Sequence, residues 1–200
     1  PLDKLYELSL EYNALLMVDD DHSTGTIGNG HGTAAYFGLE KEVDIQLGTL
    51  SKSLGSVGGY VAANSTIIDY LVNTSRSFIF STALSPADIG AALAALHVLE
   101  SDVSVLQRLH ENVNYMADQL ISMGISATNE TPIFPILIGR NEDTLAVSEY
   151  LYESGIIGTA IRPPTVPLGE SRIRLTVTAA HNKEQIDYVC QSLHNAMKQL

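Results

Sequence analysis

The sequence predicts an α/β fold in two regions, on three grounds. Short apolar runs alternate with longer stretches of helical periodicity, as strands and helices do in this class. The apolar share, 45 % of residues, comes mainly from Ala, Val, Ile and Leu, with no Trp. A glycine-rich stretch at residues 48–59 directly follows an apolar run, where open α/β sheets place their ligand loops. A chain of 200 residues with this content buries a sizeable core.

Residues 5–10 carry a helical tail. Ala14-Leu15-Leu16-Met17-Val18 runs into Asp19, Asp20 and Asp21, which predicts a buried parallel-type strand presenting carboxylates at its C-terminal end. Residues 23–33, rich in Gly, Ser and Thr, predict a loop. Residues 43–49 predict a second strand, Tyr60-Val61-Ala62-Ala63 a third, residues 65–72 a helix and Phe78-Ile79-Phe80 a fourth strand. Ser85-Pro86-Ala87-Asp88 starts a helix: Ser85 caps, Pro86 suits the first turn and Asp88 favours the positive end of the dipole. That helix continues through Leu93, Leu96 and Leu99, and the pattern pauses at residues 100–102 before a second long helix to about Met123. The pause divides the two expected regions, residues 1–103 and 104–200. Beyond it, Pro135-Ile136-Leu137-Ile138 predicts a strand, residues 143–153 a helix stopped by Gly155, and residues 156–161 and 172–178 two further strands. The last helix aligns Ile186, Val189, Cys190, Leu193 and Met197 on one face, with Asn182 and Gln185 at its cap. No internal repeat or low-complexity tract interrupts this order.

The formal net charge of −12 argues against nucleic acid and anionic membrane as partners. No apolar run approaches the ~20 residues of a membrane span. Cys190 is the single cysteine, so an intrachain disulfide is excluded and a reducing, cytoplasmic setting is expected. Pro1-Leu2-Asp3-Lys4-Leu5 reads as an internal segment, which leaves N-terminal targeting unreadable.

Four groups of residues carry chemical interest. Lys52 lies just past an apolar strand among Gly48, Gly55, Gly58 and Gly59, and a lysine there is a candidate for covalent attachment to a carbonyl ligand. The stretch matches neither the Walker phosphate loop nor the dinucleotide glycine fingerprint. Asp19 and His22 sit together at a strand end; an acidic turn with a solvated His is the plain alternative. A calcium loop is excluded because Thr24 stands where Gly is needed, and no metal site is expected. Thr49, Ser81 and Thr82 offer hydroxyls to an anion, although each alone is an ordinary turn residue. Finally, three prolines in Arg162-Pro163-Pro164-Thr165-Val166-Pro167 predict an extended segment. Alternation in Arg172-Ile173-Arg174 places both arginines on one strand face. They could clamp a carboxylate or form a solvated pair on an edge strand.

These motifs resemble those of the α-oxoamine synthase family of fold-type I pyridoxal-phosphate (PLP) enzymes, over nearly the whole chain. Val18-Asp19-Asp20-Asp21-His22-Ser23 resembles its V-D-E-A-H-S motif, and Thr49-Leu50-Ser51-Lys52-Ser53-Leu54-Gly55 its cofactor-lysine motif. Phe80-Ser81-Thr82-Ala83-Leu84-Ser85-Pro86 resembles the segment that reaches the phosphate from a neighbouring subunit. The proline run, Arg172-Ile173-Arg174 and Ala179-Ala180-His181 resemble the C-terminal signature. Asp20 and Asp21 depart from the pattern, standing where Glu and Ala are usual and adding charge near the cofactor.

The resemblance implies a PLP-dependent acyltransferase. Lys52 would hold PLP as an internal aldimine and later move protons, Asp19 would pair with the pyridine nitrogen and His22 with the phenolic oxygen. Thr49 would bind phosphate, with Ser81 and Thr82 doing so across a homodimer interface that bounds the active site. Arg174 would bind the amino-acid carboxylate, with Thr165 near substrate. Within the family, the proline run points to the decarboxylative joining of L-alanine to a pimeloyl thioester (of CoA or a carrier protein), giving 8-amino-7-oxononanoate for biotin synthesis. The joining of glycine to acetyl-CoA is the alternative within the family, and a non-catalytic structural or regulatory relative is the alternative outside it. The resemblance also implies residues 1–103 as the later part of a large cofactor domain and 104–200 as a small α+β domain. Family members are about twice as long, and the half that precedes these motifs would supply a ring-stacking aromatic, the rest of the phosphate site and much of the thioester site.

Overall fold

The computed structural model describes residues 1–200, which divide into two compact units, Pro1–Leu106 and Gln107–Leu200.

The first unit holds α1 (Leu2–Glu11), β1 (Met17–Asp19), α2 (Thr33–Tyr36), β2 (Ile45–Thr49), β3 (Gly59–Ala63), α3 (Ser65–Thr74), α4 (Arg76–Ile79) and α5 (Pro86–Ser101). The start of α6 (Val103–Ser122) completes it. Its sheet runs β1-β2-β3, with β1 parallel and β3 antiparallel to β2. Only the end of the apolar run at residues 14–18 joins the ladder. Ala14 N donates to Ser9 O at 2.8 Å and Leu16 N to the Asp44 carboxylate at 2.8 Å, so the upstream amides bond elsewhere. The core is small: Leu2, Leu16, Ala34 and Val43, with Tyr6, Val18, Phe37 and Leu39 packed against it.

The strand expected at Phe78-Ile79-Phe80 is instead α4 and its C-terminal cap. Ile79 N donates to Ser75 O and Phe80 N to Arg76 O, so local bonds take the donors that a ladder would need. A three-residue apolar run cannot by itself distinguish a strand from a helical turn. Helix α5 starts as expected: the Ser85 hydroxyl accepts from Asp88 N at 3.2 Å, and Pro86 occupies the first turn.

The second unit holds the rest of α6, then β4 (Ile133–Gly139), α7 (Asn141–Glu153), β5 (Thr159–Ile161), β6 (Ser171–Thr176) and α8 (Lys183–Met197). Its antiparallel sheet is ordered β4-β6-β5. One sheet face, with Phe134, Ile136, Ile173 and Leu175, is buried, as are Met116 and Leu120 of α6, Val147 and Leu151 of α7, and Ile186, Cys190 and Leu193 of α8. The amphipathic pattern of α8 and its Asn182–Gln185 capping box match expectation. The strand expected over 156–161 pairs only from Thr159.

Two features of this core are testable. The buried Asn112 amide donates to Thr178 O at 3.0 Å and His181 O at 2.7 Å, pinning the segment between β6 and α8. Asn112→Ala removes both bonds, leaving Thr178 O only its 3.3 Å bond from His181 N, and lowers the unfolding free energy by about 1–3 kcal/mol in denaturant titration. Burial, with Asp187 nearby, pushes the Cys190 thiol up to about 11. The native chain therefore resists alkylation at neutral pH, whereas the chain unfolded in denaturant reacts readily.

Candidate active site

Because β1 and β2 are parallel, their chains leave the sheet at the same edge. Asp19 is registered beside Leu47, two residues before Thr49, and Lys52 follows on the loop beyond. The Lys52 amine lies 3.9 Å from the Asp21 carboxylate, with side chains 41 % and 40 % exposed. An ion pair this wet and this long is weak, so it orients the amine without burying it.

The three aspartates at the end of β1 diverge. Asp19 is exposed, and its carboxylate accepts from Asp21 N at 3.0 Å. Asp20 is buried and turns into the following loop, where it accepts from Ser23 Oγ and Thr33 N. Asp21 faces Lys52. Of the two departures from the family pattern, Asp21 therefore carries the charge beside the amine, and Asp20 is spent on the loop. His22 is exposed on this turn, its carbonyl accepting from Thr26 Oγ1 at 2.8 Å.

The Lys52 loop is tied at several points. Thr49 Oγ1 donates to Gly58 O at 3.0 Å, accepts from Ser51 N at 3.1 Å and lies 2.7 Å from Ser51 Oγ. The Thr49 hydroxyl thus closes the base of its own loop. Gly58 has φ +114°, which favours glycine, and a Cβ there would push against the end of the Leu84 side chain. Ser53 Oγ donates to Thr24 O at 2.6 Å, Ser56 Oγ to Asp88 O at 2.7 Å, and Thr24 Oγ1 sits 3.0 Å from the Tyr60 hydroxyl. Sequence reasoning named Asp21 only as added charge near the cofactor, without its pairing to Lys52, and missed Thr24, Ser53 and Tyr60. Alternation along a strand says nothing of Asp21 on a turn, and no local pattern links Thr24 to Tyr60.

Ser81 and Thr82 lie exposed between α4 and α5, following a helix rather than a strand. Phe78 and Phe80 beside them are 65 % and 75 % exposed, which marks this segment as an apolar surface.

In the second unit, Arg172 and Arg174 share one face of β6 while Ile173 is fully buried on the other. β6 is the central strand, bonded to β4 and β5, so the arginines are not an edge-strand pair. Arg172 donates to the Glu170 carboxylate at 2.9 Å, whereas no ion pair forms at Arg174. The proline run is turned rather than extended: Thr165 N donates to Arg162 O at 3.0 Å across a cis Pro163–Pro164 bond, and Thr165 is exposed. A cis proline at the third position suits a turn of this kind. A cavity of about 690 Å³ in this unit is lined by Met116, Ile156, Leu175, Val177, His181 and Ile186 among others, and by none of the expected site residues. No three His, Cys, Asp or Glu side chains converge anywhere as a metal site, and no single helix is long and apolar enough to cross a membrane.

Known proteins resemble this chain throughout its length. An 8-amino-7-oxononanoate synthase of Lysinibacillus sphaericus is 43 % identical over 202 residues, covering 100 % of this chain and 52 % of that protein. One from Bacillus velezensis is also 43 % identical, with the same coverage. The chain spans about half the length of the curated relatives it matches. Among solved structures, a serine palmitoyltransferase from S. paucimobilis, with a bound PLP–myriocin aldimine, superposes with a TM-score of 0.93 at 28 % identity, covering 100 % of this chain and 51 % of that one. The 8-amino-7-oxononanoate synthase of Francisella tularensis superposes with a TM-score of 0.82 at 26 % identity, covering 97 % of this chain and 58 % of that one. The model of the aminotransferase class I and II family matches residues 1–193, and the chain belongs to that family.

Proposed function

We propose that this chain is the lysine-bearing half of a PLP-dependent α-oxoamine synthase that joins L-alanine to a pimeloyl thioester, giving 8-amino-7-oxononanoate in biotin synthesis. The observation that carries this reading is the parallel exit of β1 and β2, which brings the Asp19–His22 turn and the Lys52 loop to one sheet edge. The names of the relatives from L. sphaericus and B. velezensis support the substrate choice.

The donor set suits the cofactor: one amine for a carbonyl carbon, a carboxylate and an imidazole for the ring's polar atoms, and hydroxyls for a phosphate. When bound, PLP supplies an electron sink for negative charge at the amino-acid α-carbon. Lys52 would hold the cofactor through Nζ and would carry the α-proton at that atom. The weak pairing with Asp21 leaves that amine free to move. Asp19 would hold a proton on the pyridine nitrogen, because a carboxylate partner favours the charged ring. His22 would donate to the phenolic oxygen, and Thr49 would bind phosphate.

We assign Ser81 and Thr82 to the phosphate of the opposite subunit in a homodimer. The exposed Phe78, Ile79 and Phe80 supply the apolar surface such an interface needs. Arg174 is assigned the amino-acid carboxylate, since its guanidinium can form two parallel hydrogen bonds and no residue of this chain pairs with it; Thr165 is assigned a place near substrate. The first unit belongs to the large cofactor domain and the second to the small domain. The ring-stacking aromatic and the rest of the phosphate and thioester sites come from an N-terminal half.

Two measurements test this in enzyme assembled with an N-terminal half, supplied in cis or in trans. Borohydride treatment fixes the cofactor to the peptide carrying Lys52, and Lys52→Ala abolishes both the attachment and turnover; label on another lysine removes the assignment of Lys52, and no label at all favours a non-catalytic relative. CoA is released from pimeloyl-CoA with alanine; release only from acetyl-CoA with glycine would reassign the substrates.

A further inference from the structure

Asp20 is 3 % exposed at the end of a strand where its two carboxylate neighbours reach water. Its carboxylate accepts from Ser23 Oγ at 2.5 Å and from Thr33 N at 3.0 and 3.2 Å. Thr33 Oγ1 in turn donates to Ser23 Oγ at 2.9 Å. The main chain of Asp20 is equally engaged: its N–H donates to Leu47 O at 2.7 Å, and its carbonyl accepts from Ser23 N and Thr24 N, both at 3.1 Å. Gly32, at φ +95°, lets the chain press against the carboxylate, where any Cβ would collide with it.

These bonds fix the turn that carries Asp21, His22 and Thr24. Thr24 is the far end of the clamp. Its carbonyl accepts from Ser53 Oγ at 2.6 Å, immediately beside Lys52, and its hydroxyl meets the Tyr60 hydroxyl of β3 at 3.0 Å.

We propose that Asp20 is a positioning residue for Lys52 and His22, acting through the Ser23–Thr24 turn and the Thr24–Ser53 bond. The inference rests on the reading of Lys52 as the cofactor-bearing residue. A buried carboxylate that accepts from an amide and a hydroxyl forms charge-assisted bonds, stronger than neutral ones and costly to leave half made. The turn it holds has no other buried polar anchor at its root. Asp20 touches none of the reacting atoms itself; its effect is to keep the Lys52 loop and the His22 turn in one register.

The test compares wild type, Asp20→Asn, Ser53→Ala and the double variant in the enzyme assembled with an N-terminal half. Asn keeps the shape but removes the charge and turns an NH₂ group toward one of two donors. Ser53→Ala trims an exposed hydroxyl at the other end of the clamp. The expected result is a kcat about 10-fold lower for Asp20→Asn, with the amino-acid KM within about 2-fold, and a smaller loss for Ser53→Ala. The double variant is no slower than Asp20→Asn, because both changes cut one link, and Asp20→Glu, which keeps the charge, recovers part of the lost kcat. Losses that multiply in the double variant overturn the proposal, as does an Asp20→Asn enzyme of normal melting temperature and unchanged kcat. Should Asp20→Asn fail to fold, an unchanged kcat in Ser53→Ala overturns it and a lowered kcat at constant KM supports it. Borohydride trapping of the wild type runs alongside: its failure removes the cofactor assignment, whereas trapping at Lys52 with unaffected clamp variants removes only the role of Asp20.

Discussion

The parallel pairing of β1 with β2 is the constraint on which the candidate site depends. Antiparallel strands would send the aspartate triplet and the lysine loop to opposite ends of the sheet. Parallel strands need a crossover of a dozen or more residues, and here residues 20–44 supply it. The first turn of that crossover meets the loop that leaves β2 through the Ser53 Oγ bond to Thr24 O. Asp20 N completes the pairing with a bond to Leu47 O, just where the ladder ends. The same bond marks where strand stops and site begins.

The two units are built differently. The second has a conventional interior, with three helices contributing buried side chains and one face of its sheet covered. The first holds most of the candidate chemistry on a small core, and its longest complete helix, α5, buries only Ala92 while Leu93 is 67 % exposed. Polar ties compensate locally: the lysine loop is stitched to the crossover by Ser53, to α5 by Ser56 and to itself by Thr49. These ties hold the loop where the unit's apolar core is small, while Phe78, Phe80 and Leu93 of the same unit stay exposed.

Most elements were legible because their signals are local. Ser85 with Pro86, Asn182 with Gln185, and the alternation around Ile173 each encode a cap or a face within a few residues. The α4 turn was not, since Phe78-Ile79-Phe80 satisfies a strand and a helix equally and the deciding bonds come from Ser75 and Arg76. The start of β1 was lost to Asp44, a residue far along the chain. At the site, the motif order pointed to Asp19, His22, Thr49 and Lys52, yet the division of labour among Asp19, Asp20 and Asp21 was hidden. Three identical side chains in a row differ only in where a turn aims them, and that turn is set by Thr33 and Gly32.

The central position of β6 sets a limit on how the second unit can change. Both of its flanks are occupied by ladder partners, and its two faces are opposite in character, arginines on one and Ile173 on the other. A slip of one residue would drive two guanidinium groups into the interior and expose the isoleucine. Change is therefore closed to the strand itself. It is left to the turn that begins at Arg162 and to the chain leading from it into β6, where insertions and exchanges disturb no ladder.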